Sequence, residues 1–155
     1  MESSRGNLYD VFVSFRGEDT RDFIGHLFGA LQRNNISVFM DDKDLKGGES
    51  VSNQILHAIE GSQIFIVVLS MNYAYSKWCL KELEMILECV QLYGKPVLPV
   101  FYDVDPSVVR NQTGSYERAF AKHERDLSGF SKTVQLWKEA LTQVADLAGW
   151  VLGHG

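Results

Sequence analysis

Cysteine, proline, basic charge and long apolar runs are all scarce in this chain, and each scarcity excludes something. The chain has two cysteines in 155 residues. Cys79 and Cys89 fall in a stretch with helical periodicity, where ten steps span about 15 Å along the axis, too far for the ~7 Å between Cα atoms that a disulfide tolerates. They cannot pair with each other, which fits a reducing cytosol. The longest apolar run, Ile64–Leu69, is far short of the ~20 residues that cross a bilayer, so no membrane partner is expected. Lys and Arg total 15 against 20 Asp and Glu, a net charge of −5. That excess of acid argues against nucleic acid as a main partner, because phosphate binding needs clustered Lys and Arg. Met1–Asn7 has no apolar core of a secretory signal. These seven residues, with the tail 153–155, read as disordered ends around one domain over 8–152.

Several chemistries are missing too. No G-x-x-x-x-G-K-[ST] loop is present, and no G-x-G-x-x-G follows the first strand, so a phosphate-cradling loop and a dinucleotide fingerprint are excluded. There is no G-x-S-x-G elbow. The four His and two Cys have no metal-ligand spacing, so no metal and no bound cofactor are expected. A phospho-receiver would want acids directly after its first strand. Here that position reads Ser14-Phe15-Arg16-Gly17-Glu18-Asp19, and the acidic cluster Asp41-Asp42-Lys43-Asp44 follows the second strand.

What remains is ordinary globular composition, 45% apolar and 23% charged, in which short β-branched or aromatic runs alternate with amphipathic stretches. The strand-like runs are Tyr9–Phe15, Ile36–Met40, Gln63–Leu69 and Val97–Tyr102. The helical stripes are Phe23, Leu27, Ala30 and Leu31; Val51, Ile55 and Ile59; Tyr116, Ala119, Phe120, His123 and Leu127; and Val134, Trp137, Leu141, Val144 and Ala148. Such alternation implies right-handed βαβ crossovers and a three-layer α/β domain with a parallel sheet between helices. Pro99 cannot donate to a ladder, which places its strand near an edge or at a bulge. Trp150–Leu152 is a weak fifth strand.

Ligands of open parallel sheets bind beyond the carboxyl ends of the strands. Three loops build that edge here, Ser14–Thr20, Asp41–Ser50 and Ser70–Lys77. The helix that follows the third loop is the most informative segment. With Trp78 at 0° and about 100° per residue, Ile86, Cys79, Val90, Leu83, Leu87 and Leu80 fall between about 80° and 200°, the buried stripe. Glu84, Glu88 and Lys81 lie on the opposite, solvated side. Glu82, near 40°, is the one acid of this helix off the water side. Two readings fit it. It is either a boundary residue satisfied by the helix N-terminus, or a carboxylate held between an aromatic ring and apolar neighbours to face developing positive charge.

Other candidates are equally two-sided. Ser76 is an N-cap or a site residue. Arg16 pairs with Glu18 or Asp19, or offers a guanidinium to a phosphate. His123, on an apolar stripe, reads as a core histidine. Gly25 and Gly29 sit inside a helix, either as slack or as a flat face for another backbone.

Four motifs then resemble one family in order. They are Tyr9-Asp10-Val11-Phe12-Val13-Ser14-Phe15-Arg16-Gly17-Glu18-Asp19-Thr20-Arg21, Ser76-Lys77-Trp78-Cys79-Leu80-Lys81-Glu82-Leu83, the run Val97–Arg110 around Asp103-Val104-Asp105-Pro106, and Thr113-Gly114-Ser115-Tyr116. Together they look like a plant-type TIR (Toll/interleukin-1 receptor) domain from about Tyr9 to Trp150. The resemblance implies a flavodoxin-like fold with five parallel strands in order 2-1-3-4-5. It implies an enzyme that cleaves the nicotinamide–ribose bond of NAD+ as substrate and releases nucleotide signals in plant immunity and cell death; the alternative is a non-catalytic TIR–TIR adaptor. The family's catalytic glutamate maps to Glu82. Arg16, Gly17, Ser76, Trp78 and Cys79 would line the NAD+ pocket, with Lys46 in an Asp41–Ser50 cover loop. That loop departs from its relatives at Gly47, where plant members usually carry arginine, which implies weaker turnover. Self-association with further copies or other TIR domains is implied through Gly25, His26, the helix of Trp137 and the region of Gly114. Gly25 stands where many relatives have serine before the histidine, so weaker or altered association is implied. The resemblance also implies a cytoplasmic protein, with the nucleus as a second compartment.

Overall fold

The computed structural model describes residues 8–40, 53–127 and 131–153. The order of elements is β1 (Tyr9–Ser14), α1 (Gly17–Arg33), β2 (Val38–Phe39), α2 (Asn53–Glu60), β3 (Ser62–Leu69), a 3-10 turn (Tyr73–Tyr75), α3 (Lys77–Tyr93), β4 (Val97–Tyr102), α4 (Pro106–Asn111), α5 (Ser115–Asp126), α6 (Ser131–Ala145) and β5 (Trp150–Leu152). The five strands are all parallel, in the order β2-β1-β3-β4-β5. The expected architecture is therefore present, including the fifth strand.

Strand alternation sorts the apolar residues into two layers. Phe12, Phe65, Val67, Leu69 and Phe101 point to one face, where they pack with residues of α2, α3, α5 and α6 into the larger core. Val11, Val13, Val68 and Val100 point to the other, where α1 supplies Phe23, Ile24 and Leu27. Phe23 stacks on Tyr102 with ring centroids 5.2 Å apart. The two faces are unequally covered. The expected α1 stripe of Phe23, Leu27, Ala30 and Leu31 is only half-buried, and the deepest apolar residue of the helix is Ile24, which the stripe left out. At the far edge Trp150 and Val151 are 58% and 61% exposed, unusual for strands of a parallel sheet, which are normally covered on both faces.

Pro99 is placed as the sequence requires. Phe65 N–H donates to the Pro96 carbonyl at 3.1 Å. Alternation then turns the backbones of residues 98 and 100 toward β3 and that of Pro99 toward β5. The β5 pairing begins only at Val100, so the missing N–H falls next to the short edge strand, where it costs little. Gly149, leading into β5, fits because a Cβ there would overlap the Pro99 carbonyl.

Two helical details differ from expectation. The short α4, which the stripes did not reveal, starts from an Asp105 cap and Pro106 at the first turn, a pairing that suits a helix start. The last stripe ends at Ala145, and Ala148 lies beyond the helix, exposed. Among the described residues no helix is long and apolar enough to cross a membrane.

Candidate active site

The carboxyl edge of the sheet is built by the ends of β1 and β3 and by the start of α3. The chain leaves β3 at Ser70 and is held there from two sides. On one, the Asp19 carboxylate in the first turn of α1 accepts from Ser70 Oγ at 2.7 Å and from the Asn72 backbone N–H at 2.9 Å. On the other, Tyr116 of α5 donates to the Ser70 carbonyl at 2.6 Å, Ser115 Oγ to the Met71 carbonyl, and His123 Nε2 to the Ala74 carbonyl at 2.7 Å. Burial pushes the Tyr116 phenol well above its ordinary value, so it remains a donor.

That anchored segment delivers Ser76, whose Oγ accepts from the Cys79 backbone N–H at 3.1 Å and caps α3. Ser76 is therefore the N-cap of α3. One turn into α3 stands Glu82, only 1% exposed. Its two oxygens are held by uncharged donors from different elements. Trp78 Nε1, four residues earlier on the same helix, donates to Oε2 at 3.0 Å. Ser14 Oγ, at the end of β1, donates to Oε1 at 2.9 Å. A carboxylate this deep needs such bonds, because burying it unpaired costs several kcal/mol. The arrangement leaves a fixed carboxyl group at the sheet edge, beside a half-buried indole. A preorganised carboxylate is worth most against a cation that develops next to it.

The other expected residues divide. Arg16 follows Phe15 on the same edge, half-buried, with Nη2 3.0 Å from Glu18 and Nη1 donating to the Asn72 carbonyl at 3.5 Å. Gly17 opens α1 and lines, with Phe15, Arg21, Ile24, Gly25, Phe28, Val38 and Met40, a cavity of about 490 Å³ between α1 and β2. Cys79 packs into the core beside Glu82. Its side chain is buried and its Sγ donates to the Phe15 carbonyl at 3.4 Å, which ties α3 to the loop after β1. Both cysteines are free thiols. Lys46, Gly47 and the rest of Asp41–Ser50 lie outside the described residues.

Of the residues assigned to self-association, Gly25 and His26 are exposed on α1, and nothing lies within 4 Å of a Cβ placed at Gly25. Gly114 is exposed and caps α5 at φ 58°, ψ −126°, a conformation reserved for glycine. The assignment of the Trp137 side chain needs correction. The indole is 1% exposed, donates to Glu84 Oε1 at 3.2 Å and packs edge-on against His123. It is a core residue, and only the opposite side of α6, with Leu136 at 45% exposure, is open to a partner.

Three residues of this edge escaped the sequence reading. Ser14 had a signal, since it shares a face with Phe12 at the end of a strand. Tyr73 and Asp19 had none beyond their position in edge loops.

The sequence matches known proteins along almost the whole chain. The model of the TIR domain family matches residues 8–154. The chain belongs to the TIR domain family. It is 48% identical over 149 residues to the disease resistance protein RPV1 of Vitis rotundifolia and 49% identical over 142 residues to the TMV resistance protein N of Nicotiana glutinosa. These matches cover 96% and 91% of this chain but only 10% and 12% of those proteins, so the TIR chain spans about a tenth of their length. Among solved structures, the TIR domains of the activated Roq1 resistosome superpose with a TM-score of 0.83 at 53% identity, covering 93% of this chain and 87% of that one.

Proposed function

We propose that this TIR domain is an NAD+ nucleosidase acting in plant immune signalling, with Glu82 as its catalytic carboxylate. The observation that carries the reading is the placement of Glu82. It is the buried acid of α3, held by Ser14 and Trp78 at the edge where parallel sheets take ligands.

The chemistry asks for one such group. The bond between C1′ of the ribose and the nicotinamide nitrogen breaks, and both electrons leave with the ring, whose nitrogen becomes neutral. Positive charge passes to C1′ and the ring oxygen of the sugar, the oxocarbenium character of glycoside hydrolysis. A fixed carboxylate stabilises that cation. Water then adds at C1′ and loses a proton, giving ADP-ribose and nicotinamide. Because the leaving group departs neutral, no general acid is needed. Arg16 and Gly17 sit on the same edge for the phosphates, the former as a guanidinium and the latter at the N-terminus of α1.

The plant resistance proteins among its relatives support an immune role; the compartment in this reading is the cytoplasm, with the nucleus as a second. The Roq1 TIR domains were solved within an activated resistosome, which supports function in an assembly of several copies. In that reading Gly25, His26 and the region of Gly114 serve contact with other TIR domains, and the isolated domain is slow when dilute.

The test is direct. Concentrated protein incubated with NAD+ releases nicotinamide, followed by chromatography, and Glu82→Ala releases none while keeping its circular dichroism spectrum. Equal release by both proteins removes Glu82 from the mechanism. No release by either leaves the domain as a TIR–TIR adaptor.

A further inference from the structure

Beneath Glu82 lie two hydroxyl side chains that the reaction scheme leaves unused, Ser14 and Tyr73, each 0% exposed. Buried hydroxyls are costly unless bonded, at about 1–3 kcal/mol each, so their partners matter. Ser14 has one hydrogen, which goes to Glu82 Oε1 at 2.9 Å. Its oxygen is then an acceptor for Tyr73 Oη, 2.8 Å away. The phenol hydrogen has a second acceptor in the Cys79 carbonyl at 3.1 Å. Phenol, hydroxyl and carboxylate thus form a line from the core to the candidate site. Burial pushes the Tyr73 phenol well above its ordinary value, so it stays a donor.

The donors Trp78 and Ser14 are not equivalent. Trp78 rides on the same helix, one turn away, and moves with it. Ser14 belongs to β1, which is paired on both sides by β2 and β3. A glutamate has three side-chain torsions, and a bond to its own helix leaves the plane of the carboxylate only partly determined. The second bond, from a rigid neighbouring element, fixes it. We propose that Ser14, itself oriented by Tyr73, is a positioning residue that sets the orientation of the Glu82 carboxylate. The proposal rests on Glu82 being the reactive acid, and its first test does not use turnover.

The chain has three tryptophans, so a 15N-labelled sample gives three indole N–H signals, with that of Trp78 assigned through Trp78→Phe. In Ser14→Ala the Trp78 signal is expected to shift and to exchange faster with water, while that of Trp137 stays in place. In the NAD+ assay, kcat of Ser14→Ala is expected to fall about 10- to 100-fold, the range for a lost hydrogen bond to a charged group, with KM unchanged and with most of the loss restored in Ser14→Thr. Tyr73→Phe loses less, and Ser14→Ala with Tyr73→Phe is no worse than Ser14→Ala alone, because both act through one bond. Tyr73→Phe also shifts the Trp78 signal, which serves should Ser14→Ala fail to fold. An unmoved Trp78 signal in the folded variants overturns the proposal, as does a loss in the double variant equal to the two single losses multiplied. A moved signal in a protein whose wild type releases no nicotinamide upholds the positioning role and refutes the substrate instead.

Discussion

Two buried polar residues of this chain do opposite things with their surroundings. Glu82 gathers hydrogen-bond donors at both of its carboxyl oxygens. His123 sits among Phe120 and Trp137 rings with Nε2 given to the Ala74 carbonyl, and burial pushes its pKa down. The neutral imidazole is therefore the folded form. The unfolded chain takes up a proton near the ordinary value of about 6.5, so its stabilising share is fully present above that pH and is lost as pH falls through the lower folded value. The urea midpoint is expected to drop on acidification below about pH 6.5, and His123→Leu to flatten that part of the curve. An identical curve for the variant contradicts the assignment. The sequence placed this histidine in the core from its stripe alone, because helical periodicity reports burial. The same periodicity set Glu82 apart from its acidic neighbours. It could not show that Ser14 reaches Glu82, since a contact across 68 residues leaves no trace in local spacing.

Helices and strands were legible where one face is apolar and one wet. The strand Val97–Tyr102 has the expected ends, and α3 presents its expected stripe. Departures came where other forces decided. Only Val38 and Phe39 of the expected strand Ile36–Met40 pair with β1. The Trp137 indole, expected on a docking helix, is satisfied instead by Glu84 of α3. Gly25 offers a test at this scale. Its position in α1 is exposed and a Cβ would meet nothing, so Gly25→Ala is expected to stabilise the monomer by up to about 1 kcal/mol through helix propensity. If the helix also meets a partner there, the same change weakens self-association measured by sedimentation. A variant with unchanged association removes Gly25 from the interface.

At the scale of the molecule, a lopsided three-layer domain concentrates its polar network at one edge of the sheet. Asp19, Ser70, Asn72, Tyr116 and Ser115 lock the loop that starts α3, so the site is stiff before any ligand arrives. The motifs made the family legible, and with it the topology, because four ordered segments all belong to this edge or to the helices beside it. Activity in an assembly predicts that nicotinamide release per molecule rises with protein concentration, and a rate strictly proportional to concentration contradicts it. The central claim is narrower, that the charge of one carboxylate drives the bond cleavage. Glu82→Gln keeps the shape of the side chain and removes its charge. Compared with wild type at equal high concentration, it is expected to keep its melting temperature within a few degrees and to lose at least about 100-fold in nicotinamide release; a glutamine variant that turns over NAD+ at the wild-type rate would contradict the account.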